Sequence, residues 1–243
     1  MGLFGTKTAE DGHELSTREE RILERGVAAE GENIISDSLY NVVLGGTVAY
    51  GLLLNAVMVW FFGHDLTVFI NHNPGMYYVI LIGYIVFGIT GIVMAYKSKS
   101  ARISFIGYNL LVVPMGAILA IYVPMFSPMI VAKATFLTGF ITLLMMGFGA
   151  AFPKVFARMG ATLGITLLIT LIVEIISILV FGYQGILFDL IFVVLFSFYI
   201  GYDFSRSQAY AKTFDNAVDS AVDIYLDIIN LFIRILSILG KRN

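Results

Sequence analysis

Apolar and polar positions along this chain fall into long blocks. From residue 39 onward, apolar runs close to the ~20 residues a helix needs to cross a hydrocarbon core alternate with brief polar joints. They predict helices over Leu39–Phe62, Met76–Tyr96, Ile103–Val123, Pro128–Ala151, Gly160–Gly182 and Gln184–Phe204, with a more polar seventh within Asp215–Leu239. The joints carry turn residues, as in Asn71-His72-Asn73-Pro74-Gly75 and between Pro124 and Pro128. The expected fold is all-α, a polytopic membrane bundle of seven transmembrane helices over residues 39–240. A polar tail over 1–38 precedes it and a short tail at 241–243 follows. No internal repeat is evident, and no length is left for a second folded domain.

Composition sharpens this reading. Of 243 residues, 58% are hydrophobic and only 13% charged, and mean hydropathy is +0.88. Soluble domains carry roughly 25% charged residues, and a folded chain of this size leaves much of its surface exposed, so the solvent must be lipid. A net charge of −2 does not suggest a nucleic-acid partner, and the absence of cysteine removes disulfide, thiolate and zinc-thiolate chemistry. The polar first 38 residues lack the pattern of a cleaved signal peptide, so the first span is expected to be an uncleaved anchor. Met1-Gly2-Leu3-Phe4-Gly5-Thr6 fits the loose myristoylation pattern, for which chance is the better explanation in a spanning protein. Ser16-Thr17-Arg18-Glu19 reads as a helix start within an otherwise solvated tail.

Basic residues set an orientation. Lys7, Arg18, Arg21 and Arg25 precede the first span. Lys97, Lys99 and Arg102 join spans two and three, Lys154 and Arg158 join four and five, and Arg206 and Lys212 join six and seven. The alternate loops at 63–75, 124–127 and near Tyr183 have none. The positive-inside rule then puts the N-terminus in the cytosol, and Lys133, just inside span four, is expected to snorkel. Seven crossings leave the C-terminus outside, whereas Lys241 and Arg242 would suit a last segment that re-enters. Gly83, Gly88 and Gly91 are expected to let span two approach a neighbour closely, and Pro114 to kink span three.

The membrane region also holds Glu174, Asp189, Asp203, Asp215, Asp219, Asp223 and Asp227. A charge at the bilayer centre costs about 2.5–3.5 kcal/mol on insertion scales, so such residues face the bundle interior and are paired or functional. The last four aspartates recur every four residues, and on a helix they share a stripe about 120° wide. Asp215 and Asp219 are expected to be solvated at the cytosolic approach, with Asp223 at the border. Asp227 lies deeper, in Ile224-Tyr225-Leu226-Asp227-Ile228-Ile229-Asn230-Leu231-Phe232. The run from Ile224 to Leu239 spans only about 24 Å as helix, less than a ~30 Å core. Such a helix is best placed at the centre, shielded by the other six. Asp203, at the cytosolic end of span six, then has the depth to meet Asp227. Two carboxylates at hydrogen-bond distance cannot both ionise cheaply and titrate as a unit. When anionic they attract a hard cation such as Ca²⁺. Arg234, two turns beyond Asp227, is expected near Asp189 and Glu174 as a structural ion pair or an outer gate. His64, Asp65 and His72 read as a solvated outer loop.

Tyr202-Asp203, a polar link, then Asp223-Ile224-Tyr225-Leu226-Asp227-Ile228-Ile229-Asn230-Leu231-Phe232 and Leu239-Gly240 resemble the C-terminal signature of the Bax inhibitor-1 family, and the 24-residue interval between Asp203 and Asp227 agrees. The resemblance implies six helices around the seventh and a pH-sensitive Ca²⁺ leak, with Asp203 and Asp227 as the proton-sensing and cation-binding dyad. Asp223, Asp219, Arg234, Asp189 and Glu174 would be auxiliary. No resident cofactor is implied, since Ca²⁺ is cargo. The implied partners are the bilayer, Ca²⁺, protons and other membrane proteins. The membrane would be the plasma membrane of a prokaryote, or otherwise an intracellular one such as the endoplasmic reticulum. Span two, unlike that of relatives, carries no acid, so Lys97, Lys99 and Arg206 are candidates for the latch on the dyad.

Two other function classes fit less well. An intramembrane aspartyl protease would also pair Tyr-Asp with a second aspartate, but here Leu226 precedes Asp227 where a Gly-x-Gly-Asp pattern is needed. A retinal pigment would need a lysine within the last span. A non-conducting regulator of other membrane proteins, docking through the acidic stretch from Glu10 to Asp37, is the third possibility. No enzymatic activity is expected.

Overall fold

A computed structural model describes residues 25–26, 33–182 and 185–241. Among the described residues from 33 onward, eight helices follow one another: α1 (Asp37–His72), α2 (Gly75–Lys97), α3 (Ala101–Tyr122), α4 (Pro128–Ala151), α5 (Pro153–Ala157), α6 (Gly160–Phe181), α7 (Ile186–Ala209) and α8 (Phe214–Lys241). A 3₁₀ turn at Val123–Met125 links α3 to α4, and no strand occurs among the described residues. The myristoylation pattern, the helix start at Ser16, the acidic tail except its last residues, and Arg242 lie outside the described residues.

α1, α2, α3, α4, α6 and α7 are long and apolar enough to cross a membrane, and α8 is not among them. Burial runs opposite to polarity. On α6 the buried residues are Leu163, Thr170 and Glu174, along one narrow face, while Ile165, Leu168, Ile172 and Leu179 point outward. α8 is the most polar of the long helices, yet it is buried over most of its length. A water-soluble protein sorts its residues the other way. α8 packs against α1, α2, α3, α4 and α7, while α6 packs on α7. Its start is fixed by Thr213, whose hydroxyl accepts the Asn216 N–H at 3.1 Å.

Close crossings bring the helices into register. A Cβ on Gly91 of α2 would stand 2.3 Å from the Gly107 carbonyl of α3. One on Gly149 of α4 would stand 2.3 Å from the Gly201 carbonyl of α7. Of the span-two glycines, Gly91 fits the expected close approach and Gly88 lies in ordinary contact with Leu111, but Gly83 meets no neighbouring helix. Pro114 lies inside α3 without ending it.

Three expectations need correction. The loop expected at 63–75 is helix as far as His72, so α1 runs for 36 residues, about 54 Å. Thr67 donates to the Gly63 carbonyl at 2.7 Å, and the chain turns only at Asn73-Pro74, its first strong helix breaker in this region. His64, Asp65 and His72 are exposed, but they stand on this helix. The junction of spans four and five forms the short helix α5. Lys241 is the last described residue of α8, not part of a tail: its Nζ lies 2.9 Å from Asp189 Oδ2 near the start of α7. α8 therefore runs unbroken beside α7 from one end of the bundle to the other.

Candidate functional site

Ionisable side chains on α8 form two clusters, one toward each end of the helix. The first faces the end where Arg25 and the α7–α8 link meet, called here the tail-side end. It contains Asp215, Asp219, Asp223 and Asp227 on the four-residue stripe of α8, Asp203 and Arg206 on α7, and Arg25. The corrected positions of the outer two aspartates are instructive. Asp215 is 5% and Asp219 2% exposed, so neither is solvated. Ser104 of α3 donates to Asp215 Oδ1 at 2.7 Å, and Arg25 Nη2 pairs with Asp219 Oδ2 at 2.6 Å. These partners lie 111 and 194 residues away in sequence. Asp223 accepts hydrogen bonds from the Tyr96 hydroxyl of α2 and from Arg206 Nη2, the latter at 2.7 Å.

Deepest in this cluster, the Asp203 and Asp227 side chains face each other across the α7–α8 interface within hydrogen-bonding reach. Both are buried, and Asp227 Oδ2 has no hydrogen-bond partner among the described residues. A buried carboxylate oxygen in that state calls for a proton, a water or a cation. Arg206 Nη2 stands 3.4 Å from Asp203 Oδ1 and bridges it to Asp223. Of the three latch candidates, Arg206 is therefore the one at the dyad, while Lys97 and Lys99 make no ion pair with a described residue. Its guanidinium also lies over the Tyr202 and Tyr210 rings, at 5.4 and 5.8 Å.

At the far end, Arg234 is held by Glu174 of α6, with contacts of 2.5 and 2.8 Å, and by Asp189 of α7 at 3.0 Å. Asp189 is fully buried and also accepts from Ser237 at 2.8 Å and from Lys241 at 2.9 Å. The Arg234 guanidinium sits 3.9 Å over the Phe192 ring. Charge is thus balanced here, two acids against two bases, as a buried cluster requires. At the tail-side end, among the described residues, five aspartates (203, 215, 219, 223 and 227) gather near Arg25 and Arg206.

At the level of Asp223 and Asp227, α8 is also tied by a neutral network. The Tyr225 hydroxyl donates to Asn55 Oδ1 at 2.5 Å, and Asn55 Nδ2 donates to the Val112 carbonyl at 3.0 Å. Beside it lies a cavity of about 390 Å³ bounded by α1, α3, α4 and α8, with Trp60, Leu119, Ile228 and Phe232 in its wall. Its lining is almost wholly apolar, so it offers a cation little. Among the described residues no three His, Cys, Asp or Glu side chains converge as a metal-holding group.

The sequence reading did not foresee Arg25, Tyr96, Ser104, Asn55, Ser237 or Lys241 as partners of these groups. Arg25 was informative only as one more basic residue before the first span. Tyr96 carried a faint signal, a hydroxyl-bearing aromatic at the end of an apolar run.

Residues 38–243 match the family model described as inhibitor of apoptosis-promoting Bax1. A search among curated proteins finds no match.

Proposed function

The chain belongs to the Bax inhibitor-1 family, an integral multi-pass membrane group, and on that premise we propose that it is a pH-sensitive leak for cations, Ca²⁺ foremost. In this reading α8 is a seventh span at the centre of the bundle, the tail-side end faces the cytosol, and no reaction is catalysed. The observation that carries the proposal is the facing Asp203–Asp227 pair with its unpartnered Asp227 Oδ2. It lies at the inner end of a row of aspartates on the tail-side half of α8.

At low pH a shared proton satisfies the pair, and the site is neutral and closed to cations. As pH rises the proton leaves, the two carboxylates repel, and the site becomes a harbour for a hard cation. Flux therefore rises with pH. Arg206, already between Asp203 and Asp223, is the cationic latch that must shift when a permeating ion takes its place. The Arg234 cluster closes the far end in this conformation and has to part as well. Ca²⁺ takes about six to eight oxygen ligands, more than this pair offers, so the ion passes through with its waters and is not stored.

The test is Ca²⁺ uptake into dye-loaded liposomes containing the purified protein, at stepped pH. Wild-type flux should increase with pH, and Asp203→Asn and Asp227→Asn should each abolish that dependence. A flat wild-type profile, or an unchanged profile in Asp227→Asn, would refute the dyad's role. No flux at any pH would favour the non-conducting regulator.

A further inference from the structure

Arg25 is not a tail residue resting on a surface. Its Nη2 lies 2.6 Å from Asp219 Oδ2, and the two side chains are only 13% and 2% exposed. Its guanidinium sits 5.0 Å from the Tyr96 ring and 5.4 Å from the Tyr210 ring. Its carbonyl accepts the Ala211 N–H at 2.8 Å and Asn216 Nδ2 at 3.3 Å. Main chain and side chain are thus held by separate partners, contributed by α2, the α7–α8 link and α8. Just before α1, the Ile35 N–H donates to the Lys212 carbonyl at 2.8 Å, a second tie to the same link. A planar cation between two tyrosines, its edge turned to a buried carboxylate, is what arginine supplies and lysine does not.

We infer that the tail-side mouth is a guanidinium-binding site made by Asp219, Tyr96 and Tyr210, and that Arg25, its carbonyl held by Ala211 and Asn216, occupies it in cis as a cap on the aspartate row. Its effect on transport rests on the proposed leak. Asp219 comes one step before Asp223 on the four-residue stripe, about 6 Å along the helix axis. A cation arriving from the tail side must therefore displace Arg25 before it meets Asp223 and the deeper pair. Being on the same chain, Arg25 has an effective concentration on the order of millimolar, so it competes with ions without any partner protein.

Two measurements on the full-length protein test this. The first follows trypsin cleavage after Arg25 in detergent, reading the fragment ending at that residue by mass spectrometry. Asp219→Asn and, separately, Tyr210→Leu should speed cleavage about tenfold, because proteolysis tracks the unseated fraction. Equal rates in all three proteins would overturn the site. The second is liposome flux. Arg25→Ala should raise Ca²⁺ flux several-fold with the pH profile retained, and Arg25→Lys should fall between. Millimolar argininamide on the tail side should slow Arg25→Ala and leave wild type unaffected. Unaltered flux in Arg25→Ala would overturn the cap. If no variant conducts, the leak itself is wrong, and the cleavage rates still decide whether the guanidinium site exists.

Discussion

At the residue scale, buried charge decides which side chains this fold can spare. Arg234 pairs with both Glu174 and Asp189, so replacing it takes the cation from Glu174 and leaves Asp189 with Lys241 alone. Removing one partner of a buried pair costs about 3–5 kcal/mol. Arg234→Leu should accordingly lower the thermal midpoint in detergent by a large margin, and adding Glu174→Gln and Asp189→Asn to that variant should recover part of the loss. No recovery would mean that the arginine acts through packing on Phe192 instead of charge. The same scale shows what the sequence discloses. The four-residue recurrence from Asp215 to Asp227 is a local fact, whereas the pairing of Asp203 with Asp227 was expected from their depth along the two helices and from the family resemblance. The burial of Asp215 and Asp219 was not legible, because the groups that make it tolerable, Ser104 and Arg25, come from distant parts of the chain.

At the element scale, the block pattern placed six helices to within a few residues of their observed bounds and misjudged α1. His64 and Asp65 broke the apolar run, but a polar residue does not end a helix. A proline or a left-handed residue does, and none occurs before Asn73-Pro74. Tertiary contact favours the extension too, since a Cβ on Gly63 would stand only 2.9 Å from the Pro124 ring. Where helices cross with backbones touching, added bulk must push them apart. Gly149→Ala would set a methyl 2.3 Å from the Gly201 carbonyl, two residues before Asp203. Overpacking of this kind costs about 1–3 kcal/mol, so the variant should melt lower, whereas Gly139→Ala on the same helix, where a Cβ meets nothing within 4 Å, should not. Equal midpoints for the two would refute the close crossing of α4 and α7.

At the scale of the whole molecule, the inversion of polarity, apolar outside and charged inside, follows from the solvent; composition disclosed that solvent but not which charges are buried. The orientation in the membrane rests on the basic joints. Because the chain has no cysteine, single cysteines report it cleanly. Lys99→Cys, in the turn between α2 and α3, should react with an impermeant maleimide only from the cytosol. Asn73→Cys, in the turn between α1 and α2, should react only from the opposite face. Labelling of both from one side would disprove the arrangement.

The position of α8 in the chain carries a consequence for biogenesis. Four aspartates, an arginine and a lysine make it the helix least able to partition from the translocon into lipid unaided, and it leaves the ribosome after α1 to α7. If α8 is the seventh span, as proposed, the helices that shelter those charges precede it, and it would dock against them without crossing bare acyl chains. Moving the same segment to the N-terminus by circular permutation would deprive it of that shelter.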